Sequence, residues 1–232
     1  MKNNTLLKNS RLGELLRSRE ASLLLVMVLL VAVIGWRSNG VFFSGTVISQ
    51  LTQNYAYIAV LAFGMLLVLL IGGIDISIGA TVALSGMSTC LLMRDQVITN
   101  PLVAYLFSIL VGSVCGLIIG TVISKGKVIP IIATLGMQYI LYGITHIVSD
   151  AKAVYKKDMS DVFVQFTRAE FLGINSKTWV MILVLIILYI FLTYFRTGRH
   201  MYAVGSNIEA AEMRGINSKK SILLIWICLY KI

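Results

Sequence analysis

Acidic residues are few: ten Asp and Glu stand against twenty Lys and Arg, and charged residues of both signs make up only 13% of 232 positions. So thin a charge density excludes an ordinary soluble domain, where roughly a quarter of residues are charged. Cysteine is sparse as well. Cys90, Cys115 and Cys228 lie in apolar surroundings without Cys-x-x-Cys spacing, which excludes a disulfide framework and a zinc site and leaves them as small packing residues. With two histidines and two prolines, no paired acid, base, nucleophile or metal set stands out that would build an active site. The chain is therefore not read as an enzyme, and no cofactor is expected.

What is abundant is apolar: 58% of residues are hydrophobic and the mean hydropathy is +0.88. Runs close to the roughly 20 residues needed to cross a bilayer extend over Ala21–Trp36, Gln50–Ile71, Ile76–Met93, Pro101–Ile123, Val128–Val148 and Thr178–Phe195, and another begins at Ser221. The expected fold is all-α, a polytopic transmembrane helix bundle of about six spans plus the start of a seventh. A cytoplasmic segment 1–20 precedes a single membrane domain 21–232, which carries an external loop 149–177 and a cytoplasmic loop 196–220. The first run follows a long charged segment and Gly35-Trp36-Arg37 is a poor cleavage site, so it reads as a retained anchor rather than a signal peptide.

The formal net charge of +10 raises the question of nucleic acid, but the basic residues are scattered between spans rather than gathered on one face. With the N-terminus inside, Lys2, Lys8, Arg11, Arg17, Arg19, Lys125, Lys127, Arg196, Arg199, Arg214, Lys219 and Lys220 all fall on the cytoplasmic side, as the positive-inside rule requires.

Five patterns carry the functional argument. Gln50, Gln53, Asn54 and Tyr57 share one helix face; amides in hydrocarbon must meet partners, which either a solute path or interhelical hydrogen bonds would supply. Gly72, Gly73, Asp75 and Gly79 form a turn expected at the inner face, with the glycines closing one helix and Asp75 capping the next through the N–H of Ser77 or Ile78. Ser108, Gly112, Gly116 and Gly120 recur every fourth residue, a small-residue ridge for close helix packing. His146 and Asp150 stand at pairing distance near a helix end.

The fifth pattern lies in the cytoplasmic loop. There Ser206 and Glu209 form a capping box, Arg214 suits the last turn, and Gly215 suits a left-handed cap. A helix of roughly eight residues is not stable alone, so it must pack, and Ile208, Ala211 and Met213 offer apolar contact to either the bundle's underside or another protein.

At this loop, through Gly198, Arg199, Tyr202, Ala203, Gly205, Asn207, Ala210, Ala211, Gly215 and Ile216, the chain resembles the permease subunits of bacterial ATP-binding-cassette sugar importers. The likeness is to the ribose-type branch, which also serves other monosaccharides and autoinducer-2. Gly72–Gly79 resembles the family's Gly-Gly-Ile-Asp-Leu-Ser-Val-Gly stretch, and Ile131–Gly136 its Ile-Ala-Thr-Leu-Gly stretch. The resemblance implies a permease in the bacterial inner membrane that passes a monosaccharide or similar polyol. Its implied partners are cytoplasmic ATP-binding subunits docked on Ser206–Gly215, a second permease subunit and an external or periplasmic solute-binding protein. Family members continue for several spans past the docking loop, so the chain is expected to be C-terminally truncated. The alternative is an ion-coupled secondary transporter or channel, for which Asp75 and His146 are the groups at hand.

Overall fold

The computed structural model describes residues 19–230; Lys2, Lys8, Arg11 and Arg17, with most of segment 1–20, and the last two residues lie outside them. The described chain is all-α apart from one two-residue hairpin. In order the helices are α1 (Arg19–Arg37), α2 (Gly45–Leu70), α3 (Ile78–Arg94), α4 (Pro101–Ser124), α5 (Pro130–Ser149), α6 (Asp161–Arg168), α7 (Ser176–Tyr194), α8 (Arg196–Ser206), α9 (Ile208–Met213) and α10 (Ser218–Leu229). Helices α2, α4, α5 and α7 are long and apolar enough to cross a membrane; Ala21–Arg37 and Ile78–Arg94 are shorter apolar helices.

Both prolines sit at the first position of a helix, where the missing N–H costs no hydrogen bond. Before Pro101, the Asn100 side chain accepts from Leu102 N at 2.9 Å, capping α4.

The chain divides into two compact units, one ending at Thr52 and one beginning at Gln53. In the first, α1 leads into a 3₁₀ turn at Val41–Phe43. A Cβ on Gly35 would overlap the Phe43 ring, and the Ser38 hydroxyl donates to Gly35 O at 3.1 Å while accepting from Phe42 N.

The second unit is built around Leu67, Val68, Leu84, Ile119, Leu141, Met201, Ile225 and Trp226, all buried. Its most extensively packed helix pair is α4 with α10. Cβ atoms on Gly112 and Gly116 would overlap the carbonyls of Tyr230 and Trp226, and one on Gly120 would lie 2.9 Å from the Trp226 side chain. Three members of the small-residue ridge thus seat α10; the first, Ser108, faces a cavity instead. Such backbone proximity is what small residues supply where lipid removes the hydrophobic drive to associate.

Segment 149–177 is more ordered than a loop. Asp150 ends α5 in the left-handed region and its carboxylate pairs with Lys152 at 2.6 Å. The expected partner His146 is not engaged, because Asp150 has left the helical register that would aim it there. Helix α6 lays Phe163 and Phe166 on Tyr105, with ring centroids 5.5 and 5.9 Å apart. The hairpin pairs Glu170–Phe171 with Ile174–Asn175 across Leu172 and Gly173, both at positive φ, the geometry that twists a two-residue turn correctly.

Candidate functional site

Helix α2 ends in a left-handed turn: Gly72 has φ +74°, Gly72 N donates to Leu69 O and Gly73 N to Val68 O, both at 3.0 Å. This double bond to the last carbonyls is the Schellman closure. The chain then runs back beside α10, since Gly73 lies next to Trp226 and Ser77 next to Tyr230, one helical turn further on. The segment therefore lies against the stretch of α10 that packs on α4. Tyr230, its neighbour, rests on Gly112 halfway along α4.

Irregular backbone among apolar helices must have its buried polar groups satisfied; Gly72 and Ile74 are exposed, but Asp75 and Ser77 are buried and hydrogen-bonded. Asp75 Oδ1 accepts from Ser77 N at 2.8 Å and from Ser77 Oγ at 2.7 Å, while Oδ2 accepts from the Tyr230 hydroxyl. The Ser77 and Tyr230 hydroxyls are themselves 2.8 Å apart. Asp75 is 1% exposed. From the side of α5, the buried Thr134 hydroxyl reaches Ile74 O at 3.5 Å. Glycine-rich turn and Ile131–Gly136, some 60 residues apart in the chain, thus meet.

Residues of segment 196–220 complete the junction. Sequence reading left Arg196–Ser206 in a loop, but it is helix α8, with Met201 and Val204 buried and Gly198 lying against the Phe191 carbonyl. A Cβ on Gly205 would collide with Leu70 O, so α8 lies directly on the end of α2. Arg199 donates to Tyr194 O at 2.9 Å, covering a carbonyl at the end of α7.

Helix α9 follows after a single extended residue, Asn207, whose side chain accepts from Ala210 N at 2.9 Å. The expected capping box is corrected here. Ser206 is still helical, so its hydroxyl donates back to Ala203 O at 2.9 Å, and with Asn207 as the cap the third helical position is Ala210 rather than Glu209. The helix has six residues. Gly215, at φ +80°, closes it by the same motif as Gly72: Gly215 N donates to Glu212 O and Ile216 N to Ala211 O, at 2.9 and 3.1 Å. Glu212 also accepts from the Ser218 hydroxyl of α10. Ala211 is buried, whereas Glu209, Ala210 and Arg214 are exposed, with Ile208 46% and Met213 83% exposed. Of the two surfaces left open by the sequence, α9 uses its own chain through Ala211 and leaves Ile208 and Met213 for something else.

At the far end of the same unit the helices part around a cavity of ≈ 620 Å³ walled by α2, α3, α4, α6, α7 and α10. Tyr57 is on its wall; Gln53, half-buried, and Asn54, exposed, are not, and Gln50 is exposed on the preceding turn. The sequence missed the rest of the wall because each helix contributes only a few residues, which no single-helix pattern can reveal.

Residues 47–229 match the family described as branched-chain amino acid transport system / permease component. The chain is 36% identical over 203 residues to the D-allose transport system permease protein AlsC of Escherichia coli (strain K12), covering 87% of this chain and 61% of that protein. It is 32% identical over 226 residues to the ribose import permease protein RbsC of Haemophilus influenzae, covering 95% and 67%. To the fructose import permease protein FruG of Bifidobacterium longum it is 29% identical, covering 87% and 61%. The chain thus spans somewhat under two thirds of the length of most of these relatives. No solved structure matches it.

Proposed function

Since the chain belongs to the family of branched-chain amino acid transport system permease components, we propose that it is the membrane-spanning subunit of an ATP-driven importer for a monosaccharide or similar small polyol. That is the solute class in the names of its relatives. ATP is hydrolysed in separate cytoplasmic subunits. A second permease subunit, identical or homologous, and an external or periplasmic solute-binding protein complete the assembly in the bacterial inner membrane. In this reading the N-terminus is cytoplasmic and α1 to α5 and α7 make six crossings, which leaves α8, α9, Lys125, Lys127, Lys219 and Lys220 on the cytoplasmic side.

The observation that carries the reading is the two-faced character of α9. Asn207, Ala211 and Gly215 fix the helix to its own chain, and Ile208, Glu209, Ala210, Met213 and Arg214 face away. An exposed Met beside small residues suits an adaptable protein contact, here the ATP-binding subunit. Closure of those subunits on nucleotide pushes α9; α8 passes the displacement to Leu70 through Gly205, and so to Gly72–Ser77 and α10. On α2, Tyr57 is assigned to the solute path. Gln50 and Asn54 are assigned to the second permease subunit, because amides on an exposed face of a span otherwise lose their hydrogen bonds to hydrocarbon.

The test is co-purification with the ATP-binding subunit encoded beside this chain. Ile208→Glu with Met213→Glu, both at exposed positions, should abolish association while leaving the yield of folded chain unchanged. Association at the unsubstituted level refutes the docking role.

A further inference from the structure

The cavity lies at the end of the second unit opposite α8 and α9: α7 brings Ser176 and Lys177, its first residues, to the wall and ends at Tyr194 beside α8. Its volume, ≈ 620 Å³, falls within the roughly 300–1,000 Å³ of small-molecule sites. Aliphatic side chains such as Val60 and Ile109 form much of the wall, and its polar groups are of one kind. Apart from Lys177, every polar side chain on the wall carries a hydroxyl: among the described residues no carboxylate and no carboxamide lines it.

The Tyr230 hydroxyl is taken by Asp75 and Ser77; the others fall into two sets. Thr81 donates to Ser77 O at 3.2 Å and Ser85 to Val82 O at 3.2 Å, so each offers a solute only its acceptor lone pairs. Thr167 and Ser176 likewise donate to Val164 O and Phe166 O, at 2.9 and 2.8 Å. Among the described residues Tyr57, Tyr105 and Ser108 are bound to no backbone carbonyl and can both donate and accept, and the two tyrosines add aromatic faces. A carboxylate or amide fork fixes the direction of a partner's hydrogen bonds, whereas a hydroxyl rotates to suit it.

Resting on the importer reading, we propose that Tyr57, Tyr105 and Ser108 form a subsite for a neutral sugar ring that accepts epimers alike. The aromatic faces pack on the C–H face of the ring while rotating hydroxyls follow its hydroxyl groups wherever they point. A wall of this kind holds a solute weakly, as passage requires: a site must be favourable enough to enter and weak enough to leave. Choice among sugars is then made before the solute reaches this chain.

The test uses the full chain in oriented vesicles and a charged, membrane-impermeant thiol reagent, with the unsubstituted chain as the blank for its native cysteines. Ser108→Cys, and Ser85→Cys as a second wall position, should be modified from the side opposite α9. Ile118→Cys, exposed on α4 away from the wall, should resist the charged reagent. D-glucose, D-galactose and D-mannose should each slow modification of both wall cysteines severalfold and to the same extent. Wall cysteines that do not react, or that no sugar protects, overturn the subsite; protection by one epimer alone overturns its tolerance. Because no ATP-binding subunit is present, failure of the α9 docking experiment leaves this result unaffected.

Discussion

At one end of the second unit α8 lies on α2 so closely that Gly205 leaves no room for a methyl group, while at the other the helices separate around ≈ 620 Å³ of open cavity. Contacts at the close end lean on backbone, glycine against carbonyl at Gly205 and Schellman closures at Gly72 and Gly215, beside side-chain caps at Asn207 and Asn217 and the buried Met201 and Val204. Contacts at the open end are made by side chains, chiefly Tyr105 against Phe163 and Phe166. Backbone contacts fix distance and transmit a push; side-chain contacts can repack. In the proposed importer, one end would move as a body and the other would change shape around a solute.

The sharpest way to break this contrast is Gly205→Ala. Its methyl meets the Leu70 carbonyl, which is backbone and cannot rotate away. Overpacking of this sort costs about 1–3 kcal/mol or more, so the melting temperature in detergent should fall clearly and ATP-binding-subunit association should fall with it. An unchanged melting temperature would mean that α8 does not bear on α2.

Next in size is Asp75. Asp75→Ala leaves Ser77 N–H and the Ser77 and Tyr230 hydroxyls without their acceptor, and a buried unmade hydrogen bond costs about 1–3 kcal/mol. Asp75→Asn keeps one acceptor oxygen and should destabilise less. Equal loss from both substitutions would show that the second oxygen, toward Tyr230, dominates.

Smaller still is the cap of α9. Loss of an N-cap costs about 0.5–2 kcal/mol, so Asn207→Ala should weaken association with the ATP-binding subunit measurably and Ser206→Ala should barely change it. The reverse order would restore Ser206 as the cap.

These two residues also mark how far the sequence could be read. Ser206 and Asn207 are adjacent residues of capping type, and the choice of Asn207 depends on α8 continuing through Ser206. That helix was invisible because Gly198 and Gly205 look like helix breakers; their cause is close approach to Phe191 and Leu70, which lie outside α8's own pattern. By contrast the long apolar helices, the glycine ridge under α10 and the left-handed Gly72 and Gly215 follow from local chemistry and were legible. Tyr57 was legible as a face of α2, but its cavity neighbours Tyr105 and Ser108 were not, since a wall shared by six helices leaves no period in any one of them.

The smallest effect is expected at the open end, and it sharpens the contrast most. Ser85→Ala removes a half-buried hydroxyl whose donor bond runs to Val82 of its own helix, so nothing across the cavity loses a partner. Stability should change by no more than about 0.5 kcal/mol, as for substitutions away from packed contacts. In a reconstituted importer, solute uptake should fall all the same, because the acceptor offered to the passing ring is gone. A melting temperature that drops as far as for Gly205→Ala would mean that this end, too, is held by its wall, and the division between a rigid end and an adaptable one would not stand.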